Sequence, residues 1–224
     1  MPETQTHAPL QPRERLMRHG ASALEDAELL AIMLRTGTSG TPVLGLSRQL
    51  LQGFGGLRQL LAADRAALAA IPGLGPAKSC QLIATMELAR RAYAEALQEG
   101  NVMNQPDAVL QYCAARLAHL RVEHCIALYL DNRLRLLSCH TLAQGTTNQA
   151  SVFIGEIVRT ALAQHASAMI FAHNHPSGNR EPSQADITLT RRLKDALALV
   201  DIRLVDHLII AGNGSCSLAA RGLC

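Results

Sequence analysis

A chain of 224 residues with 48% hydrophobic and 17% charged side chains has the composition of an ordinary folded protein, long enough for one large domain or two small ones. Aromatics make up 3% with no Trp, which leaves little to stack on single-stranded bases, and a formal charge of +3 marks no nucleic-acid-binding face by itself. The six Cys at 80, 113, 125, 139, 216 and 224 form no Cys-x-x-Cys pair, the N-terminal stretch is polar, and no apolar run reaches the roughly 18–20 residues a bilayer needs. A reduced, cytoplasmic protein without membrane contact is expected.

Residues 13–35 carry a helical pattern, with Glu25, Asp26 and Glu28 in a first turn and Leu29, Ile32 and Met33 as its apolar stripe, stopped by Gly37 and Gly40. A second helix is expected from Pro42 to Gln52, with Val43, Leu46 and Leu50 on one side. Leu68 and Ile71 close a short helix, Pro72-Gly73-Leu74-Gly75 makes a tight turn, and Pro76 starts a helix carrying Leu82, Ile83 and Met86. Gly73 and Gly75 let backbone approach a phosphate, the next helix N-terminus attracts one, and Lys78 adds a contact, so DNA is a candidate partner. The same hairpin serves equally well as a packing corner.

Periodicity is lost over 97–106, which reads as a linker between a small all-α domain, 1–97, and a second domain, 103–224. The second domain begins with a helix from Pro106 to about Leu120, and Glu123 sits where it gives way to a strand, Ile126–Leu130. A turn at Asp131–Arg133 leads into a return strand, Leu134–Cys139, and Gly145 marks a break. A helix over Gly155–His165, a buried strand Ala168–Ala172, a helix over 184–200 and a strand Leu204–Ile210 follow, before a turn at Gly212–Gly214 and a short last strand. Helices alternating with strands around an early hairpin predict an α/β fold, a mixed sheet with helices on both faces.

The chemistry gathers at 173–186. His173 and His175 end the apolar strand, and one intervening residue lets both aim at one point only on extended or irregular backbone. Asp186 follows, with ten residues between it and His175, as Ser183 opens the next helix. Two imidazoles and a carboxylate suit zinc and leave a fourth position for water. Ser183-x-x-Asp186 is also an N-cap pair, with the acid in the positive first turn. His207 lies mid-strand, facing the opposite side from Asp206. As a fourth ligand it would close the position water needs, so a buried histidine that orients a ligand is expected.

His173-x-His175-Pro176 followed by Pro182-Ser183-x-x-Asp186 resembles the metal signature of the JAMM (JAB/MPN-plus) metallopeptidases, and His173-Asn-His-Pro-Ser-Gly178 resembles their bacterial RadC branch. The likeness extends over Pro12–Leu16, Asp26–Leu30, Arg35–Thr38 and Ile71–Lys78, and over Glu123-His124, Leu130-Asp131, Gln144-Gly145, Asp206–Ile210 and Arg221–Leu223. It implies an N-terminal helix-hairpin-helix region and a cytidine-deaminase-like α/β/α sandwich. It further implies one zinc per chain on His173, His175 and Asp186, Glu123 as general base, Ser183 supporting an oxyanion, and hydrolysis of a peptide or isopeptide bond. Glu156 competes with Glu123 because it is nearer in sequence to the metal loop, although it begins a helix. The alternative is a DNA-associated accessory protein whose metal domain is a non-catalytic interaction module. The chain departs from the family where Ile154-Gly155-Glu156 replaces Pro-Arg-Glu and where Ser215–Leu218 lacks an aromatic.

Overall fold

The computed structural model describes residues 10–144, 153–212 and 214–224, and the chain divides into two compact units, Met1–Met86 and Glu87–Cys224. The first unit is helical: α1 (Pro12–His19), α2 (Asp26–Leu34), α3 (Val43–Phe54), α4 (Leu57–Leu61), α5 (Arg65–Ala69) and the start of α6 (Pro76–Glu99). The helical pattern expected over 13–35 breaks at Gly20, whose φ of +79° ends α1; Glu25 and Glu28 then cap α2 reciprocally. Leu30, Leu34, Leu46, Leu60, Leu68 and Leu82 form this unit's core. Helix α6 runs through 97, and Tyr93, Ala94 and Leu97 pack into the core of the second unit. The loss of periodicity at 97–106 therefore follows the end of α6, and the compact units part earlier, after Met86.

The second unit continues with α7 (Pro106–Leu117), β1 (His124–Leu130), β2 (Leu136–Gln144), α8 (Ile154–Ala163), β3 (Ala168–His175), α9 (Gln184–Ala198), β4 (Arg203–Ala211) and β5 (Gly214–Ser217). The strands form one mixed sheet in the order β2-β1-β3-β4-β5. Only β3 and β4 are parallel, and α9 makes the crossover that parallel neighbours require. Strands β1 and β3 are buried on both faces, which is why they read as unbroken apolar runs. Ile126, Leu128 and Ile170 face α7 residues Val109, Cys113 and Leu117. Ala127, Tyr129 and Phe171 face α8 residue Ile157 and α9 residues Leu193 and Leu197. The expected mixed sheet with helices on both faces is thus the fold observed. Strand β2 starts and ends later than its apolar residues suggested, because antiparallel pairing with β1 continues to His124 opposite Gln144. The break expected at Gly145 lies outside the described residues. Among the described residues, no helix is long and apolar enough to cross a membrane.

Candidate metal centre

Strand pairing sets the first two side chains of the centre. Strand β3 remains extended through its last residue, so His173 and His175 project from the same face two residues apart, while Asn174 points to the other. His173 lies between Cys125 of β1 and Ile209 of β4 in the register and is 1% exposed. The loop at 176–183 then delivers the N-terminus of α9. Ser183 caps it: its Oγ accepts from the Asp186 N–H at 3.2 Å, while its own N–H and Oγ–H donate to Asp186 Oδ2, both at 2.7 Å. The cap that starts α9 therefore also fixes the carboxylate.

His173 Nε2 lies 3.3 Å from Asp186 Oδ1, His175 Nε2 lies 3.4 Å from Asp186 Oδ2, and the two imidazole nitrogens are 2.9 Å apart. A tetrahedral ion with ligands at about 2.0–2.1 Å has neighbouring ligands about 3.3 Å apart. Two neutral nitrogens and one carboxylate oxygen at that spacing fit a divalent zinc-like ion, with a fourth direction not supplied by these three residues. Among the described residues this is the group of His, Cys, Asp and Glu side chains able to hold a metal. Burial raises the pKa of Asp186, but hydrogen bonds from His173, His175 and Ser183 outweigh it and hold the carboxyl well below the usual range. His175 is raised, first by its bond to Asp186, against the opposing effect of burial.

The hydrogen bonds assign the tautomers of both histidines. Thr190 Oγ1 has one proton and lies 2.6 Å from the Asp186 carbonyl, which can only accept. His207 Nδ1, also 2.6 Å from that hydroxyl, must therefore be the donor to it. His207 Nε2 is then a lone-pair acceptor for the Nδ1–H of His173 at 2.8 Å, which leaves His173 Nε2 unprotonated toward the centre. Burial lowers His207 to about 3 and keeps it neutral. His175 Nδ1 donates to the Asn179 carbonyl at 2.7 Å, so its neutral form likewise presents Nε2. His207 and Thr190 are both 0% exposed. His207 is thus a buried partner that orients a ligand, and Asp206 faces away from it, held by Ser217 and the Ala219 N–H.

Residues 103–223 match the RadC-like JAB domain, and residues 4–80 match the UPF0758 N-terminal region. The chain belongs to the RadC family. It is 54% identical over 211 residues to a UPF0758 protein of Bordetella parapertussis, covering 94% of each chain. It is 51% identical over 212 residues to one of Marinobacter nauticus, covering 95% of each. A UPF0758 protein of Thioalkalivibrio sulfidiphilus is 50% identical over 223 residues, the full length of both. The JAMM-type fold of the RadC domain is therefore common ground between the comparison and the sheet described above.

The RadC domain places its two candidate bases differently. Glu123 is half-buried just before β1, close enough for its charge to raise both His175 and Cys125, and its carboxylate makes no hydrogen bond among the described residues. Glu156 is exposed on α8 and bound to Arg159, whose Nε donates at 3.1 Å and which accounts for the lowering of its pKa. Asn174, unremarked in the sequence, ties the Glu123 segment to the metal strand. Its Oδ1 accepts from the His124 N–H at 2.8 Å, and its Nδ2 donates to the carbonyls of Leu120 and Val122 at 3.1 and 3.0 Å. A polar side chain between two ligands on a buried strand was the available signal for it. Thr190 gave no such signal.

The N-terminal hairpin is occupied by contacts of its own unit. Gly73 has φ +86°, and a Cβ there would lie 2.1 Å from Thr38 Cγ2. Lys78 Nζ donates to the Gly37 carbonyl at 2.8 Å and to the Gly73 carbonyl at 3.3 Å. Gly75 has open space around its Cβ direction. In this arrangement Gly73 and Lys78 brace a packing corner.

Proposed function

We propose that this RadC protein is a zinc-dependent hydrolase of JAMM type that cleaves a peptide or isopeptide bond. The observation that carries the reading is the convergence of three ligand atoms at tetrahedral spacing, within electrostatic reach of Glu123, whose carboxylate makes no hydrogen bond among the described residues. Zinc on His173, His175 and Asp186 supplies activation of water at neutral pH and a Lewis acid for the substrate carbonyl. Glu123 accepts the proton released as water oxygen attacks the carbonyl carbon. It then returns that proton to the nitrogen as the C–N bond breaks, regenerating the carboxylate. Ser183 donates to the oxyanion, a role in which its hydroxyl exchanges the bond it makes to Asp186 Oδ2. Glu156, exposed and paired with Arg159, is given no part in this proton transfer.

Cleavage profiling of cell extract with wild type against the His173→Ala/His175→Ala double variant identifies substrates, and identical profiles contradict the hydrolase reading. On any such substrate, Glu123→Gln is expected to keep zinc and lose about 10²–10⁴-fold in rate, with Glu156→Gln close to wild type. Retained zinc with activity lost in Glu156→Gln alone overturns the assignment of the base.

A further inference from the structure

The opposite face of the sheet holds a second polar site, away from the ligand cluster. Strand alternation turns Cys125 toward the metal side and His124 and Ile126 toward α7. There a cavity of about 320 Å³ is lined by Arg90 of α6, Arg116 of α7, His119, His124 and Thr141, with Glu87 among its walls. The two arginines differ in their partners: Arg90 donates from Nε to the Ala115 carbonyl at 3.4 Å and shares Glu87 with Arg91, whereas Arg116 has no acidic partner among the described residues. Arg116 is half-buried; its guanidinium lies 5.6 Å over the Tyr112 ring and donates to Tyr112 Oη at a long 3.4 Å, and it forms no carboxylate pair among the described residues. Burial keeps its neighbours Tyr112 and Cys139 protonated, so neither supplies a counter-charge. Glu87 is the acid among the lining residues; its carboxylate accepts from the outward-facing Arg91 at 2.9 Å and lies 3.6 Å from Arg90. His119 is pushed toward its neutral form by burial and then by the charges of Arg90 and His124.

A half-buried guanidinium without an anion is costly, and charges in such positions are normally paired. Here the guanidinium groups of Arg90 and Arg116, the Thr141 hydroxyl and the His119 ring line one small cavity from two helices, a strand and a turn, while His124 has its Nδ1 on the Val122 carbonyl at 2.9 Å. The arrangement suits an anion with oxygens in several directions better than a planar carboxylate held by one fork. We propose that this pocket is an anion site that binds a phosphoryl group, either free phosphate or the terminal phosphate of a small ester. The site is independent of the hydrolase reading, since none of its donors belongs to the metal cluster.

The test is isothermal titration of the full chain with inorganic phosphate and, separately, with glycerol phosphate, against chloride at matched ionic strength. It is run on zinc-loaded and chelator-stripped protein, because phosphate also binds metals. Saturable binding in both metal states is expected, weakened about 10–100-fold by Arg116→Gln and by Arg90→Gln. The stronger of the two titrants distinguishes a free-phosphate site from an ester site. Arg116→Lys keeps the charge without the fork and is expected to bind with intermediate strength. If Arg116→Gln fails to fold, Arg90→Gln decides alone. Heat no greater than with chloride, binding unchanged in the arginine variants, or binding that disappears when the metal is stripped each overturns the proposal.

Discussion

Replacing Thr190 by Val removes one hydroxyl that no solvent reaches and that touches no metal ligand side chain. Its effect should nevertheless appear at the metal. Without the hydroxyl, the Nδ1–H of His207 has no acceptor, and an orphaned buried donor costs about 1–3 kcal/mol. His207 avoids that cost by moving its proton to Nε2, but it then faces His173 Nδ1, 2.8 Å away, with a donor. His173 must in turn carry its proton on Nε2, the atom 3.3 Å from Asp186 Oδ1, which is the ligand position. Either outcome disfavours the metal-bound tautomer. The expected loss is about 10–100-fold in zinc affinity, the usual effect of losing a group that orients a ligand. The assay is zinc competition against a chelator of known affinity, with the metal-free melting temperature measured in parallel and Thr190→Ser as the conservative rescue. Wild-type zinc affinity in Thr190→Val, or an equal loss in Thr190→Ser, would refute the relay of protons argued above.

Asn174→Ala removes three hydrogen bonds between β3 and the segment carrying Glu123, and it leaves the His124 N–H without an acceptor; urea denaturation should show a loss of about 3 kcal/mol with zinc still bound, and a loss below about 1 kcal/mol contradicts the clamp. Zinc affinity should rise with pH through the titration of His175, which is raised above its ordinary 6.5 chiefly by Asp186 and must shed its proton to ligate. Chelator competition at pH 6 and 8 checks the sign, and equal affinities at the two values contradict it.

The clustering of His173, His175 and Asp186 was legible because its determinants are local. An apolar run fixes a strand, a two-residue step puts both imidazoles on one face, and a Ser-x-x-Asp cap places the carboxylate. The residues that orient those ligands were harder to read, because their partners are remote in sequence. Thr190 meets His207 across 17 positions, and Asn174 meets Leu120 across 54; only the sheet order brings them together. His207 was half-legible, since a mid-strand histidine near a metal site invites the role that its bonds to His173 and Thr190 reveal. Lys78 shows a second, local use that the sequence did not reveal. Beside a Gly-rich hairpin a lysine suggests a phosphate, yet its ammonium reaches back 41 positions to the Gly37 carbonyl. The end of α6 was obscured for a similar reason: its last turns are polar around Leu97, and only the sheet domain's core shows why the helix continues.

On the proposed function, His173, His175 and Asp186 together hold one zinc per chain. Elemental analysis by plasma mass spectrometry, on protein loaded with zinc and freed of loosely bound metal, tests it directly. Wild type is expected to carry one zinc per chain, and His173→Ala and Asp186→Ala are expected to carry none while still folded by circular dichroism. A wild type without zinc, or either variant retaining a full equivalent, would contradict the account.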